Sequence, residues 1–145
     1  MWESQPLLRL VNRYITAIYM SDDRLTFDTD QGPISFEVEG DCCSHSYFFD
    51  FYGVENLLSN GRVVRTEAVD LQPSDPGYHN PDIDDDYDVI KVYGYRLTTE
   101  HPEFGEVSSV FSFRNSSNGY YGGWMEYVEG GPTDFQVRLT ADKIG

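Results

Sequence analysis

Basic residues are scarce in this chain, and their scarcity excludes several classes of protein. The 145 residues include 10 Lys and Arg against 25 Asp and Glu, which gives a formal net charge of −15. Binding to nucleic acid or to an anionic membrane surface requires Lys and Arg to neutralise phosphate groups. We therefore expect neither activity. The charge fits simple solubility, or an acidic surface that mimics nucleic acid and is offered to a basic groove.

Cysteines and long apolar runs are also scarce. Cys42 and Cys43 are adjacent and cannot cross-link distant elements, so we expect no disulfide framework and a reducing, cytoplasmic location. No apolar stretch approaches the roughly 18 residues that a membrane span needs. No signal-peptide pattern opens the chain, so secretion by that route is not indicated.

Aromatic residues are abundant instead, at 15% of the chain. Aromatic side chains favour pleated, half-buried surfaces, so the composition predicts sheet. We predict one α+β domain over residues 1–145, mostly antiparallel β-sheet with one or two short helices. Apolar residues recur at helical spacing early in the chain, but β-forming residues follow. This favours a short helix over 5–11 and then a strand, with one longer helix as the alternative.

Alternation of apolar and polar residues predicts most of the strands. A hairpin is expected around residues 25–38, with its turn at 29–33. A helical turn is expected over 54–58, and Asn118-Gly119 predicts a hairpin between two of the later strands. Prolines and aspartates predict a long acidic loop over 72–88. The remaining predicted strands cover 46–52, 62–71, 89–98, 107–114, 120–128 and 135–140.

Four aspartates in that loop have the alternate spacing of a calcium-binding loop. An EF-hand requires Gly and Glu where this chain has Tyr87 and Tyr93, so the motif is incomplete. Repulsion between solvated carboxylates is the other interpretation. The candidate residues for a divalent metal site are Asp82, Asp84, Asp86 and Asp88.

The segment Asp41–His45 combines thiols with an imidazole. A cysteine nucleophile needs a nearby base, which His45 supplies in sequence. A zinc site would use Cys42, Cys43 and His45 with the distant His79 or His101, although adjacent cysteines chelate poorly. The remaining interpretations are structural packing of the cysteines and participation in a binding pocket.

The segment 114–124 combines hydrogen-bonding side chains, aromatic rings and glycines. Such a mixture suits a polar pocket with stacking surfaces, and it equally suits a tight hairpin with cross-strand aromatic pairs. We identify no catalytic residue and no cofactor motif, so a non-enzyme is favoured. The candidate ligand-binding residues of the two segments are Asp41, Cys42, Cys43, His45, Arg114, Asn115, Ser117, Asn118, Tyr120 and Tyr121.

Together, the two segments carry a family resemblance. The stretch 39–44, with the aromatic strand, Gly53 and Leu57-Leu58 after it, resembles the opening of an uncharacterised family found in phages and bacteria. The stretch 114–121 resembles that family's closing signature, and the likeness covers roughly residues 20–128. The family is a domain of unknown function, so no catalytic residue is implied. It implies a phage or prophage origin, with the acidic loop as a variable insertion.

These observations lead to one functional hypothesis and two alternatives. We expect a non-enzymatic phage or prophage accessory protein that binds a host protein in the bacterial cytoplasm, for example as an inhibitor of a defence or regulatory factor. One alternative is a protein that binds or sequesters a small, nucleotide-like ligand. The other is an enzyme that depends on Cys42 or Cys43.

Overall fold

Two antiparallel sheets stack face to face in this chain. The computed structural model describes residues 5–41, 43–72, 74–75, 89–117 and 122–144. A 3₁₀ helix, Gln5–Leu10, precedes the strands, and one short helix, α1, spans Val54–Leu58. The strands are β1 (Ile15–Met20), β2 (Arg24–Thr29), β3 (Gly32–Gly40), β4 (His45–Tyr52), β5 (Arg62–Val69), β6 (Val89–His101), β7 (Gly105–Ser117), β8 (Gly123–Val128) and β9 (Val137–Arg138).

The strands form a first sheet in the order β8-β3-β2-β1-β9 and a second sheet in the order β4-β7-β6-β5. The architecture of the described residues is therefore nearly all-β. The predicted α+β class, with mostly antiparallel sheet and one or two short helices, is roughly consistent with it. No helix among the described residues has the length and apolar character needed to cross a membrane.

Aromatic side chains fill the space between the sheets. Phe27 of the first sheet contacts Phe51 and Phe111 of the second, with ring centroids 6.1 and 6.3 Å apart. All three side chains are fully buried. Burial of a phenylalanine side chain contributes about 1.5–3 kcal/mol. Many of the aromatic residues noted in the sequence therefore form the core between the sheets.

Several predicted elements are confirmed. The hairpin around 25–38 is β2 and β3, with Thr29 opposite Gly32 across a tight turn. Gly32 has φ of +109°, a conformation that residues with a Cβ rarely adopt. The helical turn over 54–58 is α1. The early segment is a short 3₁₀ helix followed by β1, as favoured over one longer helix.

The predicted hairpin between 107–114 and 120–128 is wrong. β7 pairs with β4 on one side and β6 on the other, so neither of its edges is open to β8. β8 instead crosses to the first sheet and pairs with β3, with Val38 opposite Met125. The Asn118-Gly119 turn lies outside the described residues, as does most of the predicted loop 72–88.

A segment near the end of the chain ties the two sheets together. Gln136 is buried on the first sheet, where its amide donates to Tyr19 O and to Thr26 Oγ1 at 3.0 Å each. Of the predicted strand 135–140, Val137–Arg138 is the part that pairs with β1 as a strand. Further on, Lys143 and Phe51 exchange two backbone hydrogen bonds of 2.9 and 3.0 Å at the edge of the second sheet.

Alkaline pH tests the burial of the core tyrosine. Burial raises the pKa of the Tyr95 phenol above its usual value of 10.0. The unfolded phenol ionises first, so this contribution to stability is present below about pH 10 and is lost as the pH rises further. We expect the urea midpoint to fall above about pH 10, and to fall less steeply in Tyr95→Phe.

Tyr14→Phe is the matched control, because Tyr14 is 38% exposed. Circular dichroism would follow the unfolding of all three proteins. Parallel pH profiles for the parent and Tyr95→Phe would contradict the assignment.

Candidate functional site

The two segments singled out in the sequence meet at one end of the sandwich. Ser46 lies opposite Asn115 where β4 pairs with β7, and Gly40 lies opposite Gly123 where β3 pairs with β8. Asp41 closes this corner: its backbone N–H donates to Gly122 O at 3.1 Å, and its Oδ2 accepts from Gly122 N at 3.2 Å. The segments therefore join the end of one sheet to the end of the other.

A buried amide forms the centre of this junction. The Asn115 Nδ2 donates to Ser46 Oγ at 2.9 Å and to Ser44 Oγ at 3.1 Å, and Ser46 Oγ donates to Glu39 O at 2.7 Å. Asn115 has no exposed surface. We call Ser44, Ser46 and Asn115 the sheet clamp. The Oδ1 of Asn115 accepts no hydrogen bond from the described residues, so only its donor side is satisfied.

Two glycines allow the sheets to approach closely at the sheet clamp. A Cβ at Gly40 would lie 2.5 Å from Ser44 Oγ and 2.9 Å from Asn115 Nδ2. A Cβ at Gly123 would collide with Ser46 Oγ and lie 2.9 Å from Glu39 O. Real Cβ atoms do not approach that closely, so both positions require glycine for space rather than for turn geometry.

Arg114 lies on the opposite face of β7 from Asn115, because successive residues of a strand point to opposite faces. Its guanidinium lies over the ring of Phe49, 3.7 Å from the centroid. Its Nη2 is 3.8 Å from Asp50 Oδ2, and neither side chain has exposed surface. A shift in register between Phe48 and Phe51 accompanies this pair. The structure thus separates two residues that the sequence grouped in one predicted pocket.

The other predicted site residues have varied surroundings. Cys43 is exposed in a turn, with φ of +68°. His45 is exposed and stacks on Tyr47, with ring centroids 5.4 Å apart. Ser117 is buried on the same face of β7 as Asn115. Outside the described residues lie Cys42, Asn118, Tyr120, Tyr121, Asp82, Asp84, Asp86 and Asp88.

His101 forms a serine–histidine contact that sequence reasoning did not find. Its Nε2 lies 3.2 Å from Ser59 Oγ and 3.2 Å from Asn56 O. A carbonyl oxygen only accepts, so the imidazole N–H donates there. The Ser59 hydroxyl also donates to Asn56 O, at 2.8 Å. Both protons point at a helix-end carbonyl, which fits anchoring of α1 rather than activation of a nucleophile.

Metal ligands are not clustered in the part of the chain that the structure describes. No group of three or more His, Cys, Asp or Glu side chains there could hold a metal ion. His101 is the only predicted distant zinc ligand among the described residues, and it is engaged with α1. The described residues therefore offer hydrogen-bonding and charged surfaces rather than a chelating site.

A surface feature missed by the sequence reasoning lies along β8. Trp124 is 41% exposed, and its indole N–H donates to Glu126 Oε1 at 2.8 Å. On the neighbouring strand β3, Glu39 lies opposite Trp124 and Glu37 lies opposite Glu126. We call Glu37, Glu39, Trp124 and Glu126 the acidic edge. The alternation of Trp124, Met125 and Glu126 in the sequence indicates that Trp124 and Glu126 share one face of a strand. It does not indicate that β3, with its two glutamates, lies beside that strand.

These features define the protein as a β-sandwich whose two sheets are joined by a buried polar clamp. No protein-family model matches the chain, and no solved structure matches it. Its sequence is 31% identical over 105 residues to uncharacterized protein L278 of Acanthamoeba polyphaga mimivirus, which covers 68% of this chain and 70% of that protein. The chain belongs to the family of this viral protein. The phage or bacterial family predicted from the motifs stays a prediction.

Substitution of a clamp glycine tests the close approach of the sheets. We expect Gly123→Ala to destabilise the protein by about 1–3 kcal/mol, because an added methyl group must displace Ser46 or the Glu39 backbone. Gly131→Ala is the control, since a Cβ there would meet only Pro33 at 3.7 Å. Urea unfolding measures both, and equal midpoints for the two variants would refute the steric argument.

Substitution of Arg114 tests the buried ion pair. We expect Arg114→Met to destabilise the protein by about 3–5 kcal/mol, because the carboxylate of Asp50 stays buried after its cation is removed. Arg65→Met breaks an exposed ion pair with Glu106 and should leave the urea midpoint near that of the parent. Similar urea midpoints for the two variants would show that removing the cation costs no more stability at the buried pair than at the exposed one.

Proposed function

We propose that the protein is a non-enzymatic binding protein of viral origin that engages a positively charged protein of the infected host cell. More specifically, we propose that it inhibits a defence or regulatory factor in the cytoplasm of the host. The sequence motifs favour a phage or prophage as its source. The observation that supports it is the distribution of charge on the folded chain, which leaves carboxylates without cations beside them.

Most basic side chains are engaged within the molecule. Five of the ten form ion pairs with carboxylates: Arg24, Arg62, Arg65, Arg96 and Arg114. Four more make other internal contacts: Arg9 lies over Tyr127, Arg138 lies over Tyr19, Arg13 donates to Thr29 Oγ1, and Lys143 donates to Phe49 O. Nine of the ten basic side chains therefore already contact a group within the molecule.

The uncompensated carboxylates include strongly exposed ones. Glu39 and Glu126 stand on neighbouring strands, and Glu103 lies in the turn after β6. Long-range attraction to a basic partner raises the rate of encounter, and its strength falls with salt. A surface of this kind discriminates against nucleic acids and anionic membranes, and it favours partners of opposite charge.

The candidate ligand residues add a reason to favour a surface function. Asn115 uses both amide hydrogens within the sheet clamp, and Arg114 is buried against Phe49 on the other face of β7. The Asn115 contacts belong to the junction between the sheets, and the Arg114 contacts join β4 and β7 within the second sheet. Because Arg114 and Asn115 are buried and already bonded, a binding site is more easily formed by the exposed side chains of the protein.

Affinity capture from host-cell lysate tests the proposal. The tagged full chain should enrich a basic protein at about 50 mM salt and release most of it at about 500 mM, because screening shortens the range of the attraction. Binding of that protein, once purified, should then be measured directly by calorimetry.

An unrelated domain of the same size and net charge is the control, because it separates recognition from general electrostatic adhesion. Capture of the same protein by both baits would contradict the proposal. Failure to enrich any basic protein at low salt would contradict it as well.

A further inference from the structure

The sheet edges of the described chain are not equally open. At the edge strand β4, backbone hydrogen bonds join Phe48 to Asp22 and Phe51 to Lys143. The edge strand β9 has two residues. The edge strand β5 carries Arg62 and Arg65, each paired with a glutamate of the second sheet. These are devices that keep an edge from pairing with another chain.

β8 differs from the other edge strands. It is six residues long and pairs with β3 on one side only. Within the described residues, no hydrogen bond reaches its outer edge beyond the one from Gly123 N to Tyr93 Oη at 3.3 Å. Basic side chains or proline, which commonly protect an edge, do not occur in Gly123–Val128. This edge is therefore able to accept another strand.

The charges beside β8 specify what kind of strand it would accept. Glu37 and Glu126 face each other across β3 and β8, and directly opposed like charges destabilise a sheet. Arg24 offsets one of them by pairing with Glu37 at 2.9 Å. Glu126 accepts the indole N–H of Trp124, a neutral donor. An external cation would relieve this repulsion.

Trp124 strengthens the preference for cations. Its side chain is 41% exposed, between Glu39 on the neighbouring strand and Glu126 two residues along its own strand. Indole rings attract ammonium and guanidinium groups that lie over their faces. Carboxylates and an aromatic ring on one face of an edge strand are complementary to Lys or Arg at alternate positions of an added strand.

We propose that the acidic edge binds an extended, Lys- or Arg-rich segment of a partner protein, which pairs with β8 as an additional strand of the first sheet. The backbone of β8 supplies the ladder, and Glu39, Trp124 and Glu126 select the basic side chains. This inference rests on the proposed function and names its site. The groove beside Phe135 and Val137 carries charges of both signs and specifies no such partner.

A synthetic peptide of about eight residues that alternates Lys and Val, capped at both ends, is the probe. Amide NMR of the full chain should show the largest shifts within Gly123–Val128, because the alternate N–H groups that point away from β3 gain hydrogen bonds. A second peptide with proline in place of valine keeps the charge and removes alternate N–H donors. It should bind at least about tenfold more weakly if strand pairing contributes.

Variants of the chain then test the side chains. Glu126→Gln and Glu39→Gln should each weaken binding of the Lys–Val peptide by about tenfold, since each removes a charge-assisted contact. Trp124→Leu should also weaken it. Glu103→Gln, which makes the same charge change in the turn after β6, should weaken it by less than about twofold.

Three results would overturn the inference. They are shifts that map away from β8, equal effects of Glu126→Gln and Glu103→Gln, and equal binding of the valine and proline peptides. Capture of the host partner by variants of the chain distinguishes a failure of this site from a failure of the proposed function. If the Glu39→Gln/Glu126→Gln variant still captures that partner, the site is wrong and the function stands. If no partner is captured but the peptide binds β8, the function is wrong and the site stands.

Discussion

The close approach of the two sheets at Gly40 and Gly123 is the constraint on which the rest of the structure depends. The chain leaves the first sheet after β3 to begin β4, and it leaves the second sheet after β7 to begin β8. Both crossings occur at one end of the sandwich. There the amide of Asn115 bonds to Ser44 and Ser46, and a side chain at either glycine would push the sheets apart. The two distinctive sequence segments are these crossings.

Sequence patterns predicted the strands better than their partners. The β2–β3 hairpin and α1 follow from local alternation and turn residues, so they were found correctly. The pairing of β8 was not, because a period of two specifies which face of a strand is buried but not which strand lies beside it. The Asn118-Gly119 pair suggested a local partner for β7, whereas both edges of β7 were already occupied by β4 and β6.

The candidate site shows the same limit. Sequence reasoning identified the residues around Asp41 and Asn115 as unusual, and the structure brings them into contact. It grouped Arg114 with Asn115 because they are adjacent, although adjacent strand residues face opposite sides. The location of Phe49 and Asp50 around Arg114 depends on a shift in register within β4, which composition and spacing do not encode.

Charge is divided unevenly between the inside and the outside of this protein. Arginine side chains are held by internal partners, one of them wholly buried, whereas several carboxylates are exposed on the strands of the first sheet. Solubility alone would not require the cations to be so occupied. Among the described residues, the exposed carboxylates of Glu39 and Glu126 are therefore left without an ion-pair partner.

The segment from Val137 to Lys143 has a consequence for the order of folding. It contacts β1 in one sheet and β4 in the other, at residues far away along the chain. Such contacts close long loops, and their entropy cost is recovered only once the strands that receive them are in place. The β2–β3 and β6–β7 hairpins need no such preparation. From this connectivity we expect the segment to be added late, after the two sheets that it joins have formed.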